Sequence, residues 1–185
     1  MIRYRLLSIA LVLAAAGGAA LTGAQRSGDG TKRSVQLEIP PALKAEHEKL
    51  HAELAAATKL SGTTGPAAAG VASLLHGHFE SEEAFALPPL GLLSRIAEGR
   101  AVPEMREVIA LTERLKAEMP RMLREHAAIL QSLKELERAA RAERHPDVLR
   151  FVAELTMHAQ TEEQVLYPAA IVVGEYVKLK VPAGR

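Results

Sequence analysis

Along most of the chain apolar side chains recur at every third or fourth position, and short stretches rich in proline and glycine interrupt them. The first pattern puts an apolar stripe along a helix and the second marks its ends. Four long helices follow. The first opens at Pro40-Pro41 and runs to Leu60, with Leu43, His47, Leu50, Leu54 and Ala57 in its stripe. Past the turn cluster Ser61–Pro66, the second runs from Pro66 to Ala86 and stops before Pro88-Pro89; its stripe is Val71, Leu75, His78, Glu82 and Phe85. The third covers Pro103–Ala142, with Met119, Met122, His126, Ile129, Leu133 and Leu136 in line, and Pro120 inside it predicts a kink or a split. The fourth opens at His145-Pro146 and reaches Leu166 before Pro168, through Phe151, Leu155, His158, Glu162 and Val165. Leu90–Ala97 and Ala169–Lys180 predict short extra helices after the second and fourth. Together the stripes predict an all-α fold, an up-down-up-down four-helix bundle over residues 40–180, with 181–185 a solvated tail.

The only strongly polar residues on these stripes are four histidines and two glutamates, and they repeat. His78-Phe-Glu-Ser-Glu82-Glu83 is matched by His158-Ala-Gln-Thr-Glu162-Glu163, and Glu46-His47 by Glu125-His126. Positions four apart share a helix face, so each His/Glu pair can aim at one target. The midpoint between His47 and His78 falls in Ser61–Pro66, and that between His126 and His158 in Arg141–Pro146. In an antiparallel bundle, residues equidistant from a turn lie at one height. At about 1.5 Å per residue, the four histidines meet in one layer roughly 24 Å from both turns.

Composition narrows the class. Aromatics make up 3% of the chain, which suits helices better than sheet. With 23 Lys+Arg against 22 Asp+Glu, nothing points to nucleic acid. The absence of cysteine excludes disulfides, thiolate metal sites, Fe–S clusters and a cysteine nucleophile. Residues 1–24 have a basic start (Arg3, Arg5), an apolar run from Leu6 to Ala20 and the small-residue site Thr22-Gly-Ala24, which together form the pattern of a secretory signal peptide. Uncleaved, the same run is about long enough to anchor the chain in a membrane; otherwise the mature domain has no membrane partner. Residues 25–39 then form a flexible linker, and the domain is exported to the periplasm or beyond.

Burying two carboxylates and four imidazoles among Leu and Phe costs several kcal/mol per unpaired ion. Metal ions offset that cost, and imidazole with carboxylate suits iron, manganese or zinc. The alternative is a metal-free core of mutually hydrogen-bonded His and Glu. The order His47, His78-x-x-x-Glu82, His126, His158-x-x-x-Glu162, with its Glu-Glu dyads and closing Leu-Pro or Tyr-Pro, resembles the hemerythrin-like (HHE cation-binding) family over about Pro40 to Pro168. The resemblance implies two iron ions in a non-haem di-iron centre, with zinc or manganese less favoured, bridged by two carboxylates and an oxo or hydroxo group. His47, His78, His126 and His158 would be terminal ligands, Glu82 a bridge, and Glu162 or Glu163 the second bridge.

Oxygen-carrying members carry a fifth histidine on the third helix and an Asp after the fourth-helix histidine. Here Met122 and Leu130 stand four residues either side of His126, and Glu163 replaces the Asp. The pair His47/His51 offers a fifth ligand from the other hairpin, with Glu83 then bridging; otherwise His51 is a rim residue. Five histidines would leave one open coordination position, and four leave about two. The implied partner is O2 or a related diatomic, NO or peroxide, and binding, sensing or carriage fits better than turnover because no substrate pocket or separate acid–base pair is visible. The alternatives are a peroxide- or NO-consuming di-iron enzyme and an iron- or zinc-binding storage or sensing module. His76 reads as surface, His145 as a cap on the third helix, and Tyr167 as a packed aromatic. Glu46 and Glu125 read first as solvated charges, with hydrogen bonding to the ligand histidines as the alternative.

Overall fold

A computed structural model describes residue 35 and residues 37–182. The expected signal peptide, most of the expected linker and the last three residues lie outside the described residues. Within them every regular element is helical: α1 (Pro41–Ala57), α2 (Thr64–Ser81), α3 (Leu93–Ala97), α4 (Glu107–Glu143), α5 (Pro146–Thr161) and α6 (Tyr167–Lys180). None of these helices is long and apolar enough to cross a membrane.

The four long helices form a helical bundle in which α1 packs on α2 and α5, α2 on α4, and α4 on α5. Their stripes build two apolar cores. One contains Leu50, Leu54, Val71, Leu75, Ile129, Leu133, Phe151 and Leu155, which follow His47 and His126 and precede His78 and His158. The other contains Phe85, Met122 and Tyr167, on the opposite side of those histidines in each helix, joined by Leu87, Leu90 and Leu115. The polar layer therefore lies between two greasy blocks. A third cluster, around Leu92, Met105, Val173 and Val177, also takes in Val181, buried at 4% exposure, with Val35 and Leu37 packed against it. The packed residues thus reach into the expected tail (181–185) at Val181 and into the expected linker (25–39) at Val35 and Leu37.

Two local departures matter for the site. Pro120 does not split the third helix; α4 runs unbroken across it. A mid-helix proline costs about 3 kcal/mol, and burial of Leu115 and Met122 on either side offsets it. Pro120 precedes Glu125-His126 by the same interval at which Pro41 precedes Glu46-His47, so it stands where a helix-opening proline stands in the first half. Nor does the fourth helix end before Pro168. Glu162–Leu166 forms a single π turn, in which the Tyr167 N–H donates to the Glu162 carbonyl, and α6 follows directly with Pro168 in its first turn, where a missing N–H is least costly. The first repeat has the same π turn at Glu82–Ala86, closed by the Leu87 N–H on the Glu82 carbonyl at 2.9 Å. Each π turn shifts the helical register by about one residue. Val165, expected in the core, consequently faces solvent at 56% exposure, and Tyr167 takes the buried position.

The first helix stops at Ala57, and the second begins at Thr64 rather than Pro66. Glu143, at the end of α4, caps it from across the bundle: its carboxylate accepts from the Thr63 and Thr64 N–H groups (2.6 and 3.1 Å) and from both hydroxyls (2.7 and 2.6 Å). The Thr64 and Thr63 hydroxyls and the Thr63 amide pull the Glu143 carboxyl from 4.5 down to about 2. A depressed carboxyl stabilises the fold above its unfolded value and loses that contribution as pH falls. Glu143→Gln is therefore less stable than the wild type at neutral pH, and the gap in melting temperature closes as pH falls from about 4.5 toward 2. Thermal unfolding of both proteins across that range checks it.

Candidate metal centre

The stripes bring all six seam residues into one place. His47, His78, His126 and His158 are 1%, 2%, 1% and 4% exposed, and Glu82 and Glu162 are 0% and 1%. They form two overlapping groups that could each hold a metal ion: His47, Glu82, His158, Glu162 and His78, Glu82, His126, Glu162. Within each group the donor atoms lie within 4.8 Å of one another. Both carboxylates belong to both groups. Glu162 Oε1 is 3.0 Å from His158 Nε2 and 3.7 Å from His47 Nε2, and its Oε2 is 3.4 Å from His126 Nε2. Glu82 Oε1 is 3.2 Å from His78 Nε2, and its Oε2 is 3.8 Å from His47 Nε2.

Every histidine turns Nε2 inward and Nδ1 outward. Each Nδ1 faces a half-exposed carboxylate: His47 that of Glu83 (3.2 Å), His78 that of Glu125 (2.9 Å), His126 that of Glu163 (2.9 Å) and His158 that of Glu46 (3.2 Å). A carboxylate can only accept, so Nδ1 of His47, His78 and His126 donates its proton outward, while His158 meets Glu46 as an ion pair. Nε2 is then the atom each ring presents to the centre, and it offers a lone pair there once the ring is neutral. The pairing obeys the sequence repeat, since Glu83 and Glu163 serve the preceding helix's histidine while Glu46 and Glu125 serve the histidine of the other partner helix. Outer partners of this kind typically account for 10–100-fold in metal affinity. Glu125→Ala and Glu163→Ala are each expected to weaken binding by about that much while leaving the ion count unchanged, measured by competition with a chromophoric chelator.

The interior of the layer is short of hydrogen-bond partners. His47 Nε2, His78 Nε2, His158 Nε2, Glu82 Oε2 and both Glu162 oxygens are buried with none in the protein. Such desolvated atoms are costly unless something binds them, and converging imidazole nitrogens and carboxylate oxygens fit a cation. The protonation states show the same tension. Burial disfavours the imidazolium of His47, His78 and His158, yet the Glu162 or Glu82 carboxylate beside each raises it above the ordinary value, to about 9 for His158. Burial, then the charge of Glu162, pushes the Glu82 carboxyl up. Burial also opposes ionisation of Glu162, but His126, His158 and His47 around it pull its carboxyl well down.

Two aromatic rings line the layer. Phe79 stacks on His47 with ring centroids 4.0 Å apart and planes 9° from parallel. Tyr167 stacks on His126 at 5.8 Å; its hydroxyl donates to Glu82 Oε1 and lies 3.4 Å from His126 Nε2. Burial, followed by the Glu82 and Glu162 charges, drives its phenol far above the ordinary range, so it stays neutral.

The remaining candidates fall outside both groups. His51 is exposed and meets only the edge of Phe79 (4.9 Å) near the layer. Glu83 and Glu163 support histidines from outside. His76 is on the surface, paired with Glu80 at 3.4 Å. The His145 backbone N–H, rather than its ring, closes the end of α4 on the Ala140 carbonyl. Sequence reasoning left the four outer carboxylates unassigned as a set. The signal was the doubled dyads, Glu46-His47 with Glu125-His126 and Glu82-Glu83 with Glu162-Glu163, each of which sets a second carboxylate beside a candidate ligand. Comparison with protein-family models, curated proteins and solved structures finds no match to this chain.

Proposed function

We propose that the chain is an exported hemerythrin-like protein whose bundle holds a non-haem di-iron centre and interacts with O2 or a related small ligand, in binding, sensing or carriage. The observation that carries this reading is the pair of buried His2Glu2 groups sharing both carboxylates, their inward atoms largely without partners. His47 and His158 would hold one ion and His78 and His126 the other, with Glu82 and Glu162, common to both groups, available to both. Four-helix bundles with inward His and Glu are established hosts of such two-metal carboxylate centres. The finer fold in this proposal is the up-down-up-down bundle with short extra helices after its second and fourth helices; the neighbour pattern of α1, α2, α4 and α5 supports it.

Bound iron supplies a redox-active Lewis acid able to take a diatomic ligand. The chain supplies the rest. The outer carboxylates fix the imidazoles, Phe79 and the flanking leucines exclude water, and Tyr167 offers one neutral O–H donor inside the layer. With His51 outside, a four-histidine set leaves coordination positions for solvent or an incoming ligand. Export rests on the pattern of residues 1–24.

The test is to load the purified protein with ferrous iron under anaerobic conditions and record near-ultraviolet and visible absorption before and after O2. The expected result is a new charge-transfer band on oxygenation. A protein that instead takes up zinc with a flat spectrum is a storage or structural module, and steady consumption of peroxide with a reductant makes it an enzyme.

A further inference from the structure

The two halves of the layer repeat their six inward donors but differ in the rings beside them, at Phe79/Ala159 and at Leu87/Tyr167. Leu87 and Tyr167 close the equivalent π turns of the two repeats, and both are buried. Only the second carries a hydroxyl. That hydroxyl engages Glu82 Oε1 and approaches His126 Nε2, and both atoms belong to the His78/His126 group. The group formed by His47 and His158 has no counterpart: His47 Nε2, His158 Nε2, Glu82 Oε2 and Glu162 Oε1 are all without hydrogen-bond partners, and the ring beside them is Phe79.

We infer that Tyr167 makes the two ion positions unequal, so that the His47/His158 position fills first and the His78/His126 position second. This rests on the two-metal reading above. An ion entering the first position meets four donor atoms that no hydroxyl engages. An ion entering the second must take His126 Nε2 from the reach of the phenol and share Glu82 Oε1 with its O–H. Tyr167 is here a positioning residue, acting through Glu82 and His126. A hydrogen bond to a charged group sets the expected separation of the two steps at about tenfold to a hundredfold in affinity.

The experiment is a titration of the metal-free full chain with Zn(II) alone, followed by the imidazole 15N resonances of the histidines. At one equivalent the His47 and His158 Nε2 resonances move while those of His78 and His126 stay; the second equivalent moves the latter pair. In Tyr167→Phe, which keeps the stacked ring, both pairs move together and the two steps merge. The inference is overturned if the wild-type pairs move together, if His78 and His126 move first, or if the order survives in Tyr167→Phe. Two ions binding without order overturn this inference alone; no ion binding overturns the two-metal reading as well.

Discussion

Loading the metal-free protein with two iron ions raises its unfolding temperature by roughly 15–30 °C when free iron stands about a thousandfold above the dissociation constant. The size follows from linkage. A ligand that binds only the folded state adds about 4 kcal/mol at that concentration, so two ions add about 8 kcal/mol. A domain of this length shifts by roughly 2–4 °C per kcal/mol. The layer itself explains why the folded state would bind the ions and the unfolded state would not. Its donors come from four helices, His47 on α1, His78 on α2, His126 on α4 and His158 on α5, and only the packed bundle brings the donors of each group within 4.8 Å of one another. Calorimetry of metal-free and loaded protein reads the shift directly. An unfolding temperature indifferent to iron would mean that the layer is satisfied by its own His–Glu pairing.

Glu162→Gln costs the protein most of its metal binding. Two divalent ions bring four positive charges, and the layer holds two carboxylates against them, Glu82 and Glu162, each common to both groups. Neutralising Glu162 halves that compensation at both positions together. Removing one partner from a buried charge pair costs about 3–5 kcal/mol, equivalent to roughly 10²–10⁴-fold in affinity. The second ion is therefore lost at micromolar metal and the first is strongly weakened. Glu80→Gln is the control: it sits in the other copy of the repeat, pairs among the described residues only with His76 and is exposed at 69%. Isothermal titration of both variants separates them, with Glu80→Gln expected to match the wild type.

The apolar stripes and the six inward donors were readable in the sequence because burial and helical period act on the same residues. His47, His78, His126 and His158 fall in line with Leu50, Leu75, Ile129 and Leu155, and a polar residue at a core position stands out from its neighbours. What a fixed helical period cannot register is a change of period. The π turns at Glu82–Ala86 and Glu162–Leu166 rotate everything after them, which is why Val165 faces water, Tyr167 does not, and Pro168 lies in a continuing helix. Pro120 read as a breaker because propensity ignores the packing on either side of it. The outer carboxylates are half-exposed, and by composition a half-exposed glutamate looks like any solvated charge. Only coordinates reveal that Glu46 reaches His158 rather than its own neighbour His47. His51 was the reverse case, with ligand-like spacing from His47 on a face that turns away.

The expected results for iron loading and for Glu162→Gln both require the buried layer to take up two cations. Counting the ions on the intact folded chain by native mass spectrometry, after anaerobic loading and removal of excess iron, tests it most directly. The expected count is two ions per chain in the wild type and fewer than two in Glu162→Gln. A wild-type chain carrying none, or a Glu162→Gln chain that still carries two, contradicts it.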